Sequence, residues 1–370
     1  MIDKDKELIV LSVGDPSYGP PAESKNAAAY MLVRGRSGYL PPGGLPELRE
    51  ALAQKLSDQN GITATANEIN VTVGASLGLY FTMAVICEPN DEVLIPDPCF
   101  PLYRSMLQTQ RLTPFHYSLH ENNSYVPDWG SLESVAKTAR ALIWNFPSNP
   151  LGAVARQEWL KRLYDLLERH PQIYLISDEV YEDLIFHGTH YSPAATAGDL
   201  SERIISIFSF SKSYGMTGWR VGYIHAVEPL ATEISKSHFG AAMSVPSLAQ
   251  FAAVAALQAP ASYHQEIRNF LTRNRKLALD GLRKWKLRCL EPEAGFFVWV
   301  NISDCGLDAL TFAAGCEEDC GVLVSPGTNF SPGATDYIRI CFAVEAETLA
   351  KGIDLLGRWA NGSLRYTKVK

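Results

Sequence analysis

The chain lacks the marks of several protein classes. No apolar stretch approaches the ~20 residues needed to span a bilayer. The opening MIDKDKELIVLSVGD has no basic region followed by a long apolar run, so no secretory leader is expected. Basic residues are in deficit: 33 Lys and Arg stand against 40 Asp and Glu, for a formal net charge of -7. A polyanionic partner needs a basic surface, so nucleic-acid binding is not expected. There is no long run of like charge, no internal repeat and no low-complexity segment. The 7 cysteines are odd in number and fit neither a disulfide framework nor a paired Cys-x2-Cys zinc site. Cys316 and Cys320 have acidic neighbours but no second ligand pair nearby, and read as helix cysteines rather than a metal site. What remains is a cytoplasmic globular protein with no membrane and no metal.

With 370 residues, 46% hydrophobic and 20% charged, the chain can bury a large core in one or two domains. Between about residues 45 and 260, helical stretches alternate with short apolar runs. PELREALAQKLSDQNG reads as an amphipathic helix ended by Gly61. INVTVG, DEVLIPD, ALIWNFP, IYLISDE, RIISIFSFS and RVGYIHA read as buried strands. This alternation predicts an α/β fold: a mostly parallel sheet sandwiched by helices, with ligands beyond the carboxyl ends of its strands. From residue 261 the texture changes to one long helix, the short strands GFFVWVNI, GVLVSPG and YIRICFA, and a last helix near 345–360. That predicts a smaller α+β unit of residues 1–35 and 262–370 beside a large unit of 36–261.

The residues that carry chemistry fall just after the predicted strands. Gly74-Ala75-Ser76 opens an apolar helix, where free backbone N–H groups suit a phosphate; alone, the pattern also fits an N-cap serine. Asn149 in NFPSNPLG belongs to a turn or presents its amide to a ligand. In SDEVY, Asp178 and Tyr181 stand where both can face one ligand, although an acidic strand end also fits solvent or a helix cap. A buried Asp178 would need a cationic partner. Lys212 follows an apolar strand among small residues, between Ser209, Ser211 and Arg220. A buried lysine loses its proton more easily, and its neutral amine attacks carbonyls. Arg220 and the serine hydroxyls can grip phosphate. Phosphate clamp, imine-forming lysine, carboxylate and phenol together describe pyridoxal 5'-phosphate chemistry, with the carboxylate on the pyridine nitrogen.

The ordered stretches VGDPSYGPP, GYLPPGGLPELREALA, VTVGAS, DEVLIPDPCFPLY, NFPSNPLG, ISDEVY, SFSKSYGMTGWRVGY, EAGFFVW and YIRICFA resemble the class I/II aminotransferases, fold type I of the pyridoxal-phosphate enzymes. They span nearly the whole chain, and the lysine segment is the most specific. The resemblance implies Lys212 as the Schiff-base lysine and proton shuttle, Asp178 at the pyridine nitrogen, and Asn149 and Tyr181 at the ring oxygen. It implies Ala75, Ser76, Ser209 and Arg220 at the phosphate, and Phe100 stacked on the cofactor. Arg339 and Gly14 match the substrate α-carboxylate site. Tyr39 matches a tyrosine that reaches the partner subunit's cofactor phosphate, which implies a homodimer.

The chain departs from the family pattern in three places. It starts about twenty residues closer to its Gly-Asp-Pro motif than is common in the family, Leu151 replaces a usual threonine, and Phe100 replaces tyrosine or tryptophan. Transamination between an L-amino acid and a 2-oxo acid is the expected reaction. The same constellation also supports β-elimination, decarboxylation or oxygen-dependent oxidation. Tyr18 and Phe330 are candidates for the site mouth and equally for packing.

Overall fold

The computed structural model describes residues 8–119, 121 and 125–364. The ends of the expected smaller unit, 1–7 and 365–370, lie outside the described residues. The first half of the chain runs β1 (Ile9–Val10), α1 (Ala22–Val33), α2 (Pro46–Lys55), β2 (Ile69–Thr72), α3 (Gly74–Ile86), β3 (Glu92–Asp97), α4 (Pro101–Thr109), β4 (Thr113–Ser118), α5 (Trp129–Val135), β5 (Ala139–Asn145) and α6 (Gln157–Arg169). Then follow β6 (Tyr174–Asp178), β7 (Ile204–Ser209), α7 (Phe210–Ser213), β8 (Gly222–His225), α8 (Leu230–Ala242), α9 (Ser247–Leu257) and the long α10 (Ala261–Lys284). The last part holds β9 (Arg288–Cys289), β10 (Phe297–Asn301), α11 (Ala309–Cys320), β11 (Val322–Leu323), β12 (Ser325–Pro326), β13 (Tyr337–Cys341) and α12 (Ala346–Ala360).

A 7-stranded sheet runs in the order β2-β8-β7-β6-β5-β3-β4. Only β8 is antiparallel to its neighbours. Six of its strands are the apolar runs legible in sequence. The seventh, β4, is not: TPFHYS is an edge strand with mostly exposed or half-buried residues, so it carries no apolar run. Side chains of the inner strands alternate across the sheet. Val93, Ile95, Ile143, Ile176 and Ile205 pack with Leu79 and Met83 of α3 on one face. Leu94, Leu142, Leu175 and Ile204 pack with Leu160, Leu163 and Leu167 of α6 on the other. Each such buried aliphatic side chain contributes roughly 1.5–3 kcal/mol.

Helix α2 continues into one π-helical segment, Leu56–Asn60, and Gly61 closes it in the left-handed conformation at φ 70. A second sheet, β12-β13-β10-β9, packs with α10, α11 and α12 around Leu271, Phe312, Ile340 and Leu356. Strand β1 pairs in parallel with β11, joining the N-terminal segment to this second assembly. Cys316 and Cys320 stand one turn apart on α11. Among the described residues no cluster of metal-ligand type occurs, and no helix is long and apolar enough to cross a membrane.

Candidate active site

Three adjacent parallel strands end on chemistry-bearing residues. Ser209 closes β7, Asp178 closes β6 and Asn145 closes β5, with Asn145 and Asp178 directly paired in register. Beyond these ends lies a cavity of about 280 Å³. Gly14, Ala75, Ser76, Phe100, Asn149, Asp178, Tyr181, Ser209, Lys212, Arg220 and Arg339 all line it. Tyr39 does not; it is 83% exposed on the surface of this chain.

One end of the cavity is built for an anion. The N-cap of α3 is Val73, which offers no side-chain cap, and Ser76 lies within the first turn rather than at the cap. The first N–H groups of α3 are therefore left for a ligand. Arg220 adopts the left-handed conformation at φ 56, donates from Nη1 to the Thr217 carbonyl at 2.9 Å and lies against Gly74. A Cβ on Gly74, itself at φ +70, would stand 2.3 Å from Arg220 Nη2. A Cβ on Gly222 would meet Ala75 N at 2.6 Å. Only glycines let guanidinium, helix start and strand β8 approach this closely. Ser209 Oγ, at the start of α7, accepts from Ser211 N at 3.1 Å.

The centre holds Asp178, which is neither solvated nor a simple cap. Its Oδ2 accepts from the buried Tyr103 hydroxyl at 2.5 Å, and Oδ1 from Val180 N at 3.4 Å. Burial pushes its carboxyl up to about 6, against the downward pull of the Tyr103 and Val180 hydrogen bonds. A carboxylate so buried, without a cation on its own oxygens, fits a protonated ring nitrogen. Its neighbour Glu179 is also buried and holds His190 Nε2 at 2.7 Å and Ser192 Oγ at 3.0 Å. Asn145 joins the strand ends: it donates to the Asp178 carbonyl at 3.2 Å and accepts from Asn149 N at 3.1 Å.

Lys212 Nζ donates to the Gly14 carbonyl at 2.6 Å. Burial lowers its amine to about 8, with Arg339 and Arg220 acting in the same direction and Cys341 and Asp15 opposing. Gly14 needs its missing Cβ, which would meet the Phe297 ring at 2.8 Å. Tyr18 donates its hydroxyl to the Lys212 carbonyl at 2.7 Å.

Arg339, 6% exposed, projects from β13 with its guanidinium 3.9 Å from the Phe297 centroid and 4.6 Å from that of Phe330. Nη1 donates to Asn149 Oδ1 at 2.9 Å and Nη2 to the Ser12 carbonyl at 2.6 Å, while Nε is buried without a partner. Burial lowers this guanidinium to about 10. Burial also raises the Tyr181 phenol, against the pull of Arg339. Phe330 thus packs against Arg339, and Tyr18 packs behind Lys212.

Sequence reading missed Tyr103, Asn145, Thr217 and Phe297, which all line the cavity. Tyr103 had a signal: it follows Phe100 by one turn at the start of α4, so the two share a face. Asn145 and Phe297 fall in the motif stretches NFPSNPLG and EAGFFVW, but neither was singled out there.

An anion cradle, a carboxyl awaiting a cation and a depressed lysine amine fit pyridoxal 5'-phosphate, and together with this sheet they define a pyridoxal-phosphate enzyme of fold type I. The description "Aminotransferase class I and II" matches residues 6–356, and the chain belongs to that family. It is 32% identical over 363 residues to an aspartate aminotransferase of Pyrococcus horikoshii, covering 97% of this chain and 92% of that protein. It is 32% identical over 351 residues to aromatic-amino-acid aminotransferase 2 of Thermococcus litoralis, covering 94% and 90%. The crystal structure of an aromatic aminotransferase from Pyrococcus horikoshii superposes with a TM-score of 0.92 at 33% identity, covering 97% of each chain. Aspartate aminotransferase of Thermus thermophilus with maleate gives a TM-score of 0.90 at 32% identity, covering 95% and 91%. The chain is accordingly a pyridoxal-phosphate-dependent aminotransferase, with amino acids and 2-oxo acids as its substrate classes.

Proposed function

We propose that Lys212 is the residue that holds the cofactor aldehyde and moves the substrate's α-proton, with Asp178, Tyr181 and Arg339 fixing cofactor and substrate around it. The observation that carries this reading is the convergence of a buried amine, a buried carboxyl and two arginines on one cavity. The α3 N-terminus, Ala75, Ser76, Ser209 and Arg220 hold the phosphate. Asp178 would pair with the ring nitrogen, Asn149 and Tyr181 would hydrogen-bond the ring oxygen, and Phe100 would cover the ring. When bound, pyridoxal 5'-phosphate supplies the electron sink that acidifies the substrate's α-carbon.

Arg339 turns its fork to the substrate α-carboxylate, beside Gly14 and Asn149. Its aromatic flanks and low exposure keep water from competing for that pair. The free amine of Lys212 would be the base at the α-carbon and return the proton as an acid. Lowered to about 8, its pKa gives it a much larger neutral fraction near physiological pH than an exposed lysine has.

The chain acts as a homodimer in which Tyr39 reaches the partner's phosphate site. Support comes from its exposure and from the apolar surface of the neighbouring α1, where Tyr30, Leu32 and Val33 are exposed. Residues 36–261 form the cofactor-binding domain, and 1–35 with 262–370 the smaller one; support comes from a core made only of the first range and another made mainly of the second, while Trp299, Phe330 and Ala334 pack across the boundary. A cytoplasmic setting accords with the acidic composition.

Lys212→Ala decides the assignment: it should lose the cofactor absorbance tied to the lysine and all amino transfer to 2-oxo acid acceptors. Normal turnover in that variant would sink it. Mixing Lys212→Ala with Tyr39→Phe tests the shared site, because mixed dimers should exceed the mean activity of the two parents if Tyr39 serves the partner's site, and equal that mean if it does not.

A further inference from the structure

We propose that Tyr18 is a positioning residue for Lys212, its hydroxyl holding the main-chain carbonyl from which the lysine side chain extends. The inference rests on the reading of Lys212 as the reacting amine and adds the group that sets its place. Tyr18 does not line the cavity, so it acts through the lysine rather than on substrate or cofactor. Its hydroxyl donates to the Lys212 carbonyl at 2.7 Å.

That carbonyl needs a donor from outside its own turn. Lys212 stands in a helix of only 4 residues, Phe210–Ser213. Met216, which would close the next helical turn, donates to the Phe210 carbonyl at 3.3 Å instead. Among the described residues no main-chain N–H donates to the Lys212 carbonyl. Carbonyls left over at a helix end take side chains or water, and here the phenol serves. Gly215 follows in the left-handed conformation at φ +59, where a Cβ would stand 2.6 Å from the Tyr18 carbonyl oxygen. The lysine turn and the segment from Gly14 to Gly19 therefore lie backbone against backbone.

That segment is anchored independently of the lysine. Ser17 N donates to the Ala343 carbonyl at 2.8 Å, and the Tyr263 hydroxyl to the Gly19 carbonyl at 3.0 Å. The Tyr18 ring meets Phe270 of α10 edge-on, with centroids 5.9 Å apart. The same segment supplies the Gly14 carbonyl that accepts from Lys212 Nζ at 2.6 Å. Lys212 is thus held at both ends, carbonyl and amine. Burial, reinforced by Tyr263 and Cys341, raises the Tyr18 phenol well above its ordinary range, so it stays a donor wherever Lys212 titrates. Fixing the carbonyl matters because the lysine stem is flexible, and a misplacement of about 1 Å costs on the order of a hundredfold in rate.

Two hydroxyl deletions separate this role from packing. Tyr18→Phe keeps the ring beside Phe270 and removes the bond to Lys212. Tyr263→Phe removes a bond to the same segment and leaves Lys212 alone. In cofactor-free protein, trace acetylation with acetic anhydride across a pH series, followed by peptide mass spectrometry, reads the titration of Lys212. Tyr18→Phe should raise its midpoint by about one pH unit, since a loosened amine meets more water. Tyr263→Phe should leave the midpoint in place. Because the phenol is uncharged in this range, loss of charge cannot produce that shift. In the loaded enzyme, Tyr18→Phe should lower kcat about tenfold and leave KM for the amino donor within about twofold, because Arg339 is untouched. An unmoved midpoint or an unchanged kcat in Tyr18→Phe overturns the inference. An equal loss in Tyr263→Phe also overturns it, since the effect would then belong to anchoring of the segment. If the unmutated enzyme converted no amino donor, the transaminase reading would fall instead, while the acetylation midpoints would still decide whether Tyr18 positions Lys212.

Discussion

The hydroxyl of Tyr103 donates to Asp178 Oδ2 at 2.5 Å across the buried centre of the cavity. It joins the first turn of α4 to the end of β6, and so ties the position of Phe100 to that of the carboxyl. The bond favours the ionised form of Asp178, against the burial that disfavours it. Tyr103→Phe should raise the Asp178 pKa above its value of about 6 in the cofactor-free protein. The expected rise is about one pH unit, the size of a charge-assisted hydrogen bond of ~1.5 kcal/mol. Infrared titration of the carboxyl band, with Asp178→Asn as the baseline, reads it directly, and an unmoved titration would show that the bond does not control the charge.

In its proposed role, Lys212 captures an aldehyde only as a neutral amine. Its pKa is lowered to about 8 in the fold, so the neutral fraction grows as pH rises towards that value and then levels off. Reconstitution of cofactor-free protein should accelerate about tenfold between pH 7 and 9, with the curve flattening above 8. A lysine at its ordinary pKa would instead give about a hundredfold rise over the same range with no plateau. Stopped-flow absorbance separates the two.

Gly74→Ala places a methyl 2.3 Å from Arg220 Nη2 and strains a backbone at φ +70. The two penalties together amount to roughly 1–3 kcal/mol. Because the collision is with the anion-gripping guanidinium, cofactor affinity should fall at least tenfold while the far-ultraviolet circular dichroism stays native. Equilibrium dialysis measures the affinity, and unchanged binding would mean that Arg220 does not hold the phosphate.

Arg339→Lys retains charge but loses the planar fork. It should raise KM for amino donors about 10–100-fold, with a smaller change in kcat, since the lost interaction is made to the bound carboxylate in the ground state as well. Steady-state kinetics with a single donor over a wide concentration range checks this division.

Stability has its own charged group behind the site. Lys55 Nζ meets Glu182 Oε1 at 2.5 Å with both side chains buried, and Asn60 also hydrogen-bonds Glu182. Lys55→Met leaves the carboxylate buried and unpaired, at a cost of about 3–5 kcal/mol. The double variant Lys55→Met, Glu182→Leu should recover most of that loss. Denaturant unfolding of both variants provides the test.

Much of this organisation was legible in the sequence because it rests on local patterns. Six strands announced themselves as apolar runs, since strands covered on both faces of the sheet are apolar on both sides. The stretches around Asn149, Asp178 and Lys212 sit at strand ends because loops at that edge of a parallel sheet converge on one ligand. Strand β4 escaped notice because an edge strand owes its pairing to β3 rather than to its own composition. Asn145 and Phe297 lie in quoted stretches, but only the fold shows that their side chains turn to the cavity rather than to the core.

By itself, then, the sequence determined the layered α/β plan and pointed to Lys212, Ala75, Ser76, Ser209, Arg220 and the arginine in YIRICFA as site candidates. Each follows from periodicity, turn chemistry or an ordered set of motifs. Only the tertiary structure decided the electrostatics. It buried Asp178 under Tyr103 and enclosed Arg339 between Phe297 and Phe330. Those properties belong to groups from distant strands and helices, and desolvation acts on them only once the chain has closed around the cavity.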